Sequence, residues 1–258
     1  MTARLFAPLA TLASEAGARI LQCAAEGLAP RAKPDHSPVT VADETAEEIL
    51  RAGLAQILPG VPVVSEEGVG RGETFDVAAE FLLVDPIDGT REFIAGKPEY
   101  TVNIALIAAG SPMLGLIYAP ALRMLYAGAE GRAFKVPLAP GSPFEAAATE
   151  TIRARPRPPR LVAAVSRSHP DPASEALLST LPVELRLVLG SALKFARLAE
   201  GVADVYPRFA PIHEWDVAAG HALLAAAGGT VTAPNAGILR YGRRNEGFRM
   251  DGFLAWGA

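Results

Sequence analysis

Apolar positions along this chain change their period several times, and each change marks an element. Leu5, Leu9, Leu12, Ala16, Ile20 and Ala24 recur at helical steps, and Gly27 follows them. That spacing predicts an amphipathic helix over residues 3–27. Three prolines and mixed charges break the pattern between Ala29 and Thr40, which predicts a loop carrying Lys33, Asp35 and His36. A second helical stretch covers residues 43–58. Asp43, Glu44, Glu47 and Glu48 lie early in it, where the helix dipole favours acids, and Pro59-Gly60 ends it. Residues 61–64 read as a short strand that ends in Ser65-Glu66-Glu67-Gly68, followed by a glycine-rich polar loop over 69–79. Residues 81–84 are apolar throughout, as in a buried strand. Pro86 lacks the N–H a ladder needs, so the strand is expected to stop at Asp85. After Gly89, residues 91–95 should form a short helix.

Alternation then takes over. Strands are predicted over 101–108, 113–118, 123–127 and 132–136, joined by short turns as an antiparallel meander. Residues 153–160 hold four arginines and three prolines. They read as an extended, solvated connector. Beyond it strands and helices alternate: strand 161–165, helix 171–181, strand 184–188, helix 192–200, strand 204–208, helix 214–227, and a last strand from 228. This α/β rhythm, after an α+β beginning, predicts two units. The first, 1–158, carries a mostly antiparallel sheet; the second, 159–258, is a smaller α/β unit.

Composition narrows the class. The 258 residues are 50% hydrophobic and 20% charged, as in a globular protein. A net charge of −4 leaves no basic field for a nucleic-acid polymer. Cys23 is the single cysteine, so no internal disulfide forms and a reducing, cytoplasmic setting fits. No apolar run approaches the ~18 residues of a membrane span. The start could mimic a secretion signal, but its apolar period continues through Glu15, Arg19 and Glu26, which favours a structural helix.

Candidate chemistry gathers where the buried strand ends. Asp85 and Asp88 stand at its carboxyl end, and Glu66 ends the preceding strand, so three carboxylates can converge. The Ile87 carbonyl lies between the aspartates. Such an oxygen set suits Mg²⁺. The N–H groups of Gly89 and Thr90, at a helix start, suit a phosphate. A Thr90 hydroxyl bonded to a carboxylate could orient water. Asp43 and Asp216 both stand at helix starts, which already explains them structurally. Spacing does not select between Asp216 and its neighbour Glu214. Ser166, Ser168, His169, Lys194 and Arg208 could hold a second phosphate and a sugar edge. The Lys33–His36 loop is either plain surface or a flap over the site. No nucleophile elbow surrounds Ser166 or Ser168, and one cysteine with four scattered histidines offers no zinc spacing. The residues therefore point to a metal-dependent phosphatase.

Two segments also carry a resemblance. Asp85-Pro-Ile-Asp-Gly-Thr resembles the first motif of the lithium-sensitive inositol monophosphatase superfamily, and Trp215-Asp216-Val-Ala-Ala-Gly its second. Asp88-Gly-Thr-Arg-Glu-Phe-Ile, Thr101-Val-Asn-Ile, Ser166-Arg-Ser-His, Ser191-Ala-Leu-Lys-Phe and Tyr206-Pro-Arg-Phe resemble its CysQ-type 3′(2′),5′-bisphosphate nucleotidase branch. The resemblance implies a layered α-β-α-β-α sandwich. It implies two or three Mg²⁺ ions, inhibition by Li⁺, and removal of the 3′-phosphate from adenosine 3′,5′-bisphosphate (PAP), with the sulfated nucleotide PAPS as a further substrate. It places the chain in sulfur assimilation, in the cytoplasm or at the inner face of the membrane, with a homodimer as one assembly. On matching positions, Glu66, Asp85, Ile87, Asp88 and Asp216 would hold metal. Asp43 would pair with Thr90 to activate water, with Glu66 assisting. Asp85, Ile87, Asp88, Gly89, Thr90, Ser166, Ser168, His169, Lys194, Arg208 and Asp216 would meet substrate. Arg91 stands where the branch commonly has lysine, and Pro211-Ile-His-Glu departs from it at the pocket rim. Inositol phosphates and fructose 1,6-bisphosphate therefore stay as alternative substrates, with a non-catalytic phosphate-binding protein as the remote one.

Overall fold

The computed structural model describes residues 2–33, 38–75, 77 and 79–258. Its first layer is a pair of helices, α1 (Phe6–Glu26) and α2 (Val41–Ile57). α1 buries Leu9, Leu12, Ala16 and Ile20, as the apolar spacing predicts. α2 starts two residues earlier than expected because Thr40 caps it. The Thr40 hydroxyl accepts from Ala42 N at 3.1 Å, and Asp43 Oδ2 accepts from Thr40 N at 2.7 Å.

These helices cover a seven-stranded sheet. Its order follows the chain: β1 (Val63–Ser65), β2 (Glu80–Asp88), β3 (Thr101–Ala108), β4 (Ser111–Ala119), β5 (Met124–Ala129), β6 (Arg132–Pro137) and β7 (Glu150–Thr151). β1 pairs parallel with β2, and the remaining pairings are antiparallel. Parallel pairing puts the carboxyl ends of β1 and β2 side by side, so Glu66 and Asp85 meet. The Glu66 end differs from the plain strand end expected: it opens a short helix, α3 (Glu66–Gly70). β2 also differs. It continues past Pro86 to Asp88, with a register shift between Asp85, opposite Asn103, and Asp88, opposite Thr101. Proline is tolerated at such a bulge because the residue needs no ladder bond there.

α4 (Thr90–Ile94) follows Gly89, whose φ of 92° only glycine adopts without strain. The second sheet has the order β9-β8-β10-β12-β11, built from β8 (Leu161–Ser166), β9 (Val183–Leu189), β10 (Val205–Arg208), β11 (Thr230–Thr232) and β12 (Phe253–Trp256). β11 is thus not the last strand. β12 slots between it and β10, where it forms antiparallel pairs with both. α5 (Pro172–Thr180) packs outside this sheet, with Leu178 against Ala163 and Val205. α6 (Leu193–Ala199) and α7 (Glu214–Ala226) fill the space between the sheets. The layers are therefore α-β-α-β-α. α7 lies so close to the first sheet that a Cβ on Gly115 would stand 2.1 Å from the Ala219 carbonyl.

The connector over residues 153–160 is extended and mostly exposed, as expected, but it is also anchored: Ala154 is buried, and Arg155 grips Asp204 with two bonds of 2.7 and 2.8 Å. The Arg157 guanidinium stacks 4.1 Å above the Trp256 ring. In an extended chain alternate residues turn inward, and here the second sheet receives them. Among the described residues no helix is long and apolar enough to cross a membrane.

Candidate active site

A pocket of about 310 Å³ opens where the β1 and β2 ends, α4, α6, α7 and the β8 and β10 ends converge. One wall is acidic. Asp85 and Asp88 come from the two sides of the β2 bulge, and Asp216 from the first turn of α7. Each offers a carboxylate oxygen, and the three oxygens lie within 4.8 Å of one another. Asp216 is held by the His213 N–H, which donates to Oδ2 at 3.2 Å. Its neighbour Glu214, which spacing could not separate from it, turns away and accepts from Gly242 and Arg243 N–H groups at 2.7 and 2.8 Å. Asp85 Oδ1 accepts from Ile87 N at 3.0 Å, and Asp88 Oδ2 accepts from Asn103 Nδ2 at 3.1 Å.

These acids strain against each other. Burial and the charges of Glu66, Asp88 and Asp216 push the Asp85 carboxyl well above its ordinary range. Burial and the Asp88 charge do the same to Asp216. Burial raises Asp88, against the opposing pull of Lys194. Buried acids that raise one another want a cation.

Glu66 flanks this cluster without joining its 4.8 Å set. Its Oε1 accepts from Lys33 Nζ at 2.6 Å, and Lys33 also reaches Glu67 Oε1 at 2.7 Å. Burial and the Glu66 charge push Glu67 up to about 7. Behind them, buried Glu47 takes the Ser65 hydroxyl and two Arg71 bonds of 3.0 and 3.1 Å, which fixes the end of β1. The flap expected at Lys33–His36 is described only at Lys33; Asp35 and His36 lie outside the described residues.

Asp43 is 2% exposed and does not line the cavity itself; it stands behind Thr90, which does. Burial pushes its carboxyl up to about 6, against two bonds from Thr40. Thr90 Oγ1 stands 3.3 Å from Asp43 Oδ1 and 3.1 Å from the Ile87 carbonyl. One hydroxyl hydrogen thus has two acceptors.

The opposite wall is cationic. Lys194 is 3% exposed, lines the pocket and, among the described residues, hydrogen-bonds only to the carbonyls of Ser191 at 2.6 Å and Leu189 at 3.4 Å. Burial pushes its ammonium down to about 8, with the Asp88 charge opposing. Arg208 Nε is buried with no hydrogen-bond partner. His169 stands at the mouth, held below its ordinary value by desolvation of its inner edge and by the Arg208 and Arg91 charges. Ser166 lines the pocket beside it. Ser168 is placed differently: its hydroxyl donates to buried Glu92 and does not line the cavity. The His213 and Trp215 rings stack at 4.5 Å on the rim.

Sequence reading assigns no role to Asn103, Glu92 or Glu67, nor to the Tyr206 ring under Lys194 at 5.2 Å. Each acts across the fold, and only Asn103, inside a β3 strand otherwise apolar from Val102 to Ala108, left a visible trace.

The profile of the inositol monophosphatase family matches residues 3–250. The chain belongs to the inositol monophosphatase family. Within that family it is 42% identical over 247 residues to the 3′(2′),5′-bisphosphate nucleotidase CysQ of Escherichia coli K12, covering 93% of this chain and 96% of that protein. The CysQ crystal structure from Bacteroides thetaiotaomicron superposes with a TM-score of 0.81 at 35% identity, over 100% of this chain and 98% of that one. The inositol monophosphatase of Anabaena superposes at 0.73 with 25% identity, over 99% and 92%. The family fold accounts for the layer order, and its members are metal-dependent, as the acidic wall suits.

Proposed function

We propose that this protein is a Mg²⁺-dependent phosphomonoesterase that removes the 3′-phosphate of adenosine 3′,5′-bisphosphate, leaving AMP. The observation that carries this reading is the pocket's division into an acidic wall around buried Asp85 and a cationic wall of Lys194 and Arg208, which form no salt bridge among the described residues. A bisphosphate bound with metal satisfies both. The similarity to CysQ names the nucleotide.

The oxygen set of Asp85, Asp88, Asp216 and Glu66, with the Ile87 carbonyl, fits a hard cation, because it is all oxygen and its carboxylates are raised by burial and by one another's charge. When bound, Mg²⁺ supplies charge neutralisation of the transferring phosphoryl group and a more acidic water. The chain's own groups do the rest. The α4 start at Gly89 and Thr90 presents N–H groups to the phosphate oxygens. Thr90 Oγ1, shared between Asp43 and Ile87, is placed to accept a proton from attacking water while passing its own to Asp43. An Asp43 carboxyl raised to about 6 can take that proton near neutral pH. The new P–O bond forms to the water oxygen, the ester P–O bond breaks, and the released alkoxide takes a proton from solvent water, while Asp43 later returns its proton to solvent. Lys194, Arg208 and His169 hold the second phosphate and the sugar edge. The division after residue 158 belongs to the same proposal: the first unit brings Asp43, Glu66, Asp85 and Asp88, and the second brings Asp216 and the cations. A cytoplasmic location, a homodimer and inhibition by Li⁺ complete it.

The test is phosphate release with Mg²⁺ from adenosine 3′,5′-bisphosphate, PAPS, inositol 1-phosphate and fructose 1,6-bisphosphate, with and without millimolar Li⁺. Preferred, Li⁺-blocked turnover of the nucleotide is expected. Higher kcat/KM for inositol 1-phosphate or fructose 1,6-bisphosphate would overturn the substrate and keep the metal site.

A further inference from the structure

Glu92 is a buried carboxylate in the pocket wall that the chemistry above leaves unused. It is 3% exposed, sits on α4 two residues after Thr90, and lines the cavity. Its Oε1 accepts the Ser168 hydroxyl from the far unit. Among the described residues nothing donates to its Oε2. That oxygen is not sealed either, since the buried side-chain atoms lacking a partner are Thr101 Oγ1, Asn103 Oδ1 and Arg208 Nε. An acceptor without a donor, whose small exposure belongs to a cavity-lining residue, looks into that cavity.

Its surroundings say what it would meet. Oε2 lies 3.4 Å from where a Cβ would stand on Gly89. It is therefore about one group's width from the backbone that grips the phosphate. Opposite the acidic wall, on the side of the cavity where Glu92 stands near Lys194, the charged groups Lys194 and Arg208 are donors and suit anionic oxygens. A lone acceptor there selects a ligand group with a hydrogen to give.

We propose that Glu92 is a specificity-determining residue whose open oxygen accepts the free hydroxyl on the carbon next to the phosphate-bearing carbon. For adenosine 3′,5′-bisphosphate this is the ribose 2′-hydroxyl. The inference rests on the phosphatase reading, because holding the phosphate at Gly89 and Thr90 fixes where that hydroxyl falls. Ser168 is a positioning residue: by occupying Oε1 it turns the carboxylate so that Oε2 faces the cavity. The substrate class is thereby a phosphate monoester with a neighbouring hydroxyl.

The experiment compares kcat/KM for adenosine 3′,5′-bisphosphate and its 2′-deoxy analogue in the wild-type protein, Glu92→Leu and Ser168→Ala. A site built to bond a hydroxyl rejects the analogue that lacks it. Wild type should favour the ribonucleotide by about tenfold or more, the effect of one charge-assisted bond. Glu92→Leu should bring the ratio near one, and Ser168→Ala should lower it part of the way. If Glu92→Leu does not fold, Glu92→Gln serves, with a several-fold fall in the ratio expected. Equal turnover of both substrates by wild type overturns the proposal and leaves the phosphatase reading intact. Equal losses on both substrates in Glu92→Leu, with the ratio kept, make Glu92 structural and also overturn it. No turnover of either substrate by wild type ends the phosphatase reading, and the proposal with it.

Discussion

The two walls of the pocket are opposite in charge and alike in being unbalanced. Asp85, Asp88 and Asp216 crowd together, and Lys194 and Arg208 stand across from them; among the described residues none of the five forms a salt bridge. Elsewhere the fold pairs its charges, as Arg155 with Asp204 and Arg71 with Glu47. Unpaired buried charge costs stability, so a chain that keeps it on both sides of one cavity is shaped by its ligand. The lesson is that each wall is completed by something of the opposite sign brought from solution.

The sharpest way to break this contrast is to neutralise the acidic wall. Asp88→Asn should lower kcat by three or more orders of magnitude and weaken Mg²⁺ binding in calorimetry. Activity within about tenfold of wild type, ~1.4 kcal/mol of barrier, would remove Asp88 from that role. The cationic wall should respond in binding instead. Lys194→Met removes a buried ammonium that forms no salt bridge among the described residues, so folding should survive. KM for the bisphosphate should rise about tenfold to a hundredfold, with a smaller change for adenosine 3′-monophosphate. An equal rise for both substrates would detach Lys194 from the second phosphate. The smallest effect serves as a control away from both walls. His221, bonded to Tyr241 at 2.9 Å, has its imidazole pushed down to about 4 by burial. The unfolded chain takes a proton near pH 6.5 and the folded chain only near 4. Stability from this group is therefore fully present above 6.5 and is lost as pH falls toward 4. His221→Gln should flatten the acid side of a melting-temperature profile by on the order of 1 kcal/mol; an unchanged profile would contradict the burial argument.

Much of the acidic wall was legible in the chain. Asp85 and Asp88 follow an apolar run whose burial could be read from period alone, and Glu66 follows another. The cationic wall was legible only as scattered polar residues, because its members come from α6, β8 and β10 and meet through packing. Glu92 stands in the sequence only as one member of the Asp88–Ile94 segment with no role of its own, because its burial and its Ser168 partner come from packing across the fold. The β2 bulge escaped notice because proline was taken to stop the strand, whereas the sheet absorbs it by skipping two residues. β12 escaped for a different reason: its four residues are too few to show a period, and its pairing with β10 and β11 is what makes it a strand.

The tight seat of α7 between the sheets has a consequence for how the protein comes into being. Asp85 and Asp88 leave the ribosome well before Asp216, which needs α7 laid against Gly115 before it can face them. A half-made chain therefore offers only part of the acidic set. The acidic set is complete only once both layers have closed on the helix, so the site is a property of the finished fold rather than of either segment.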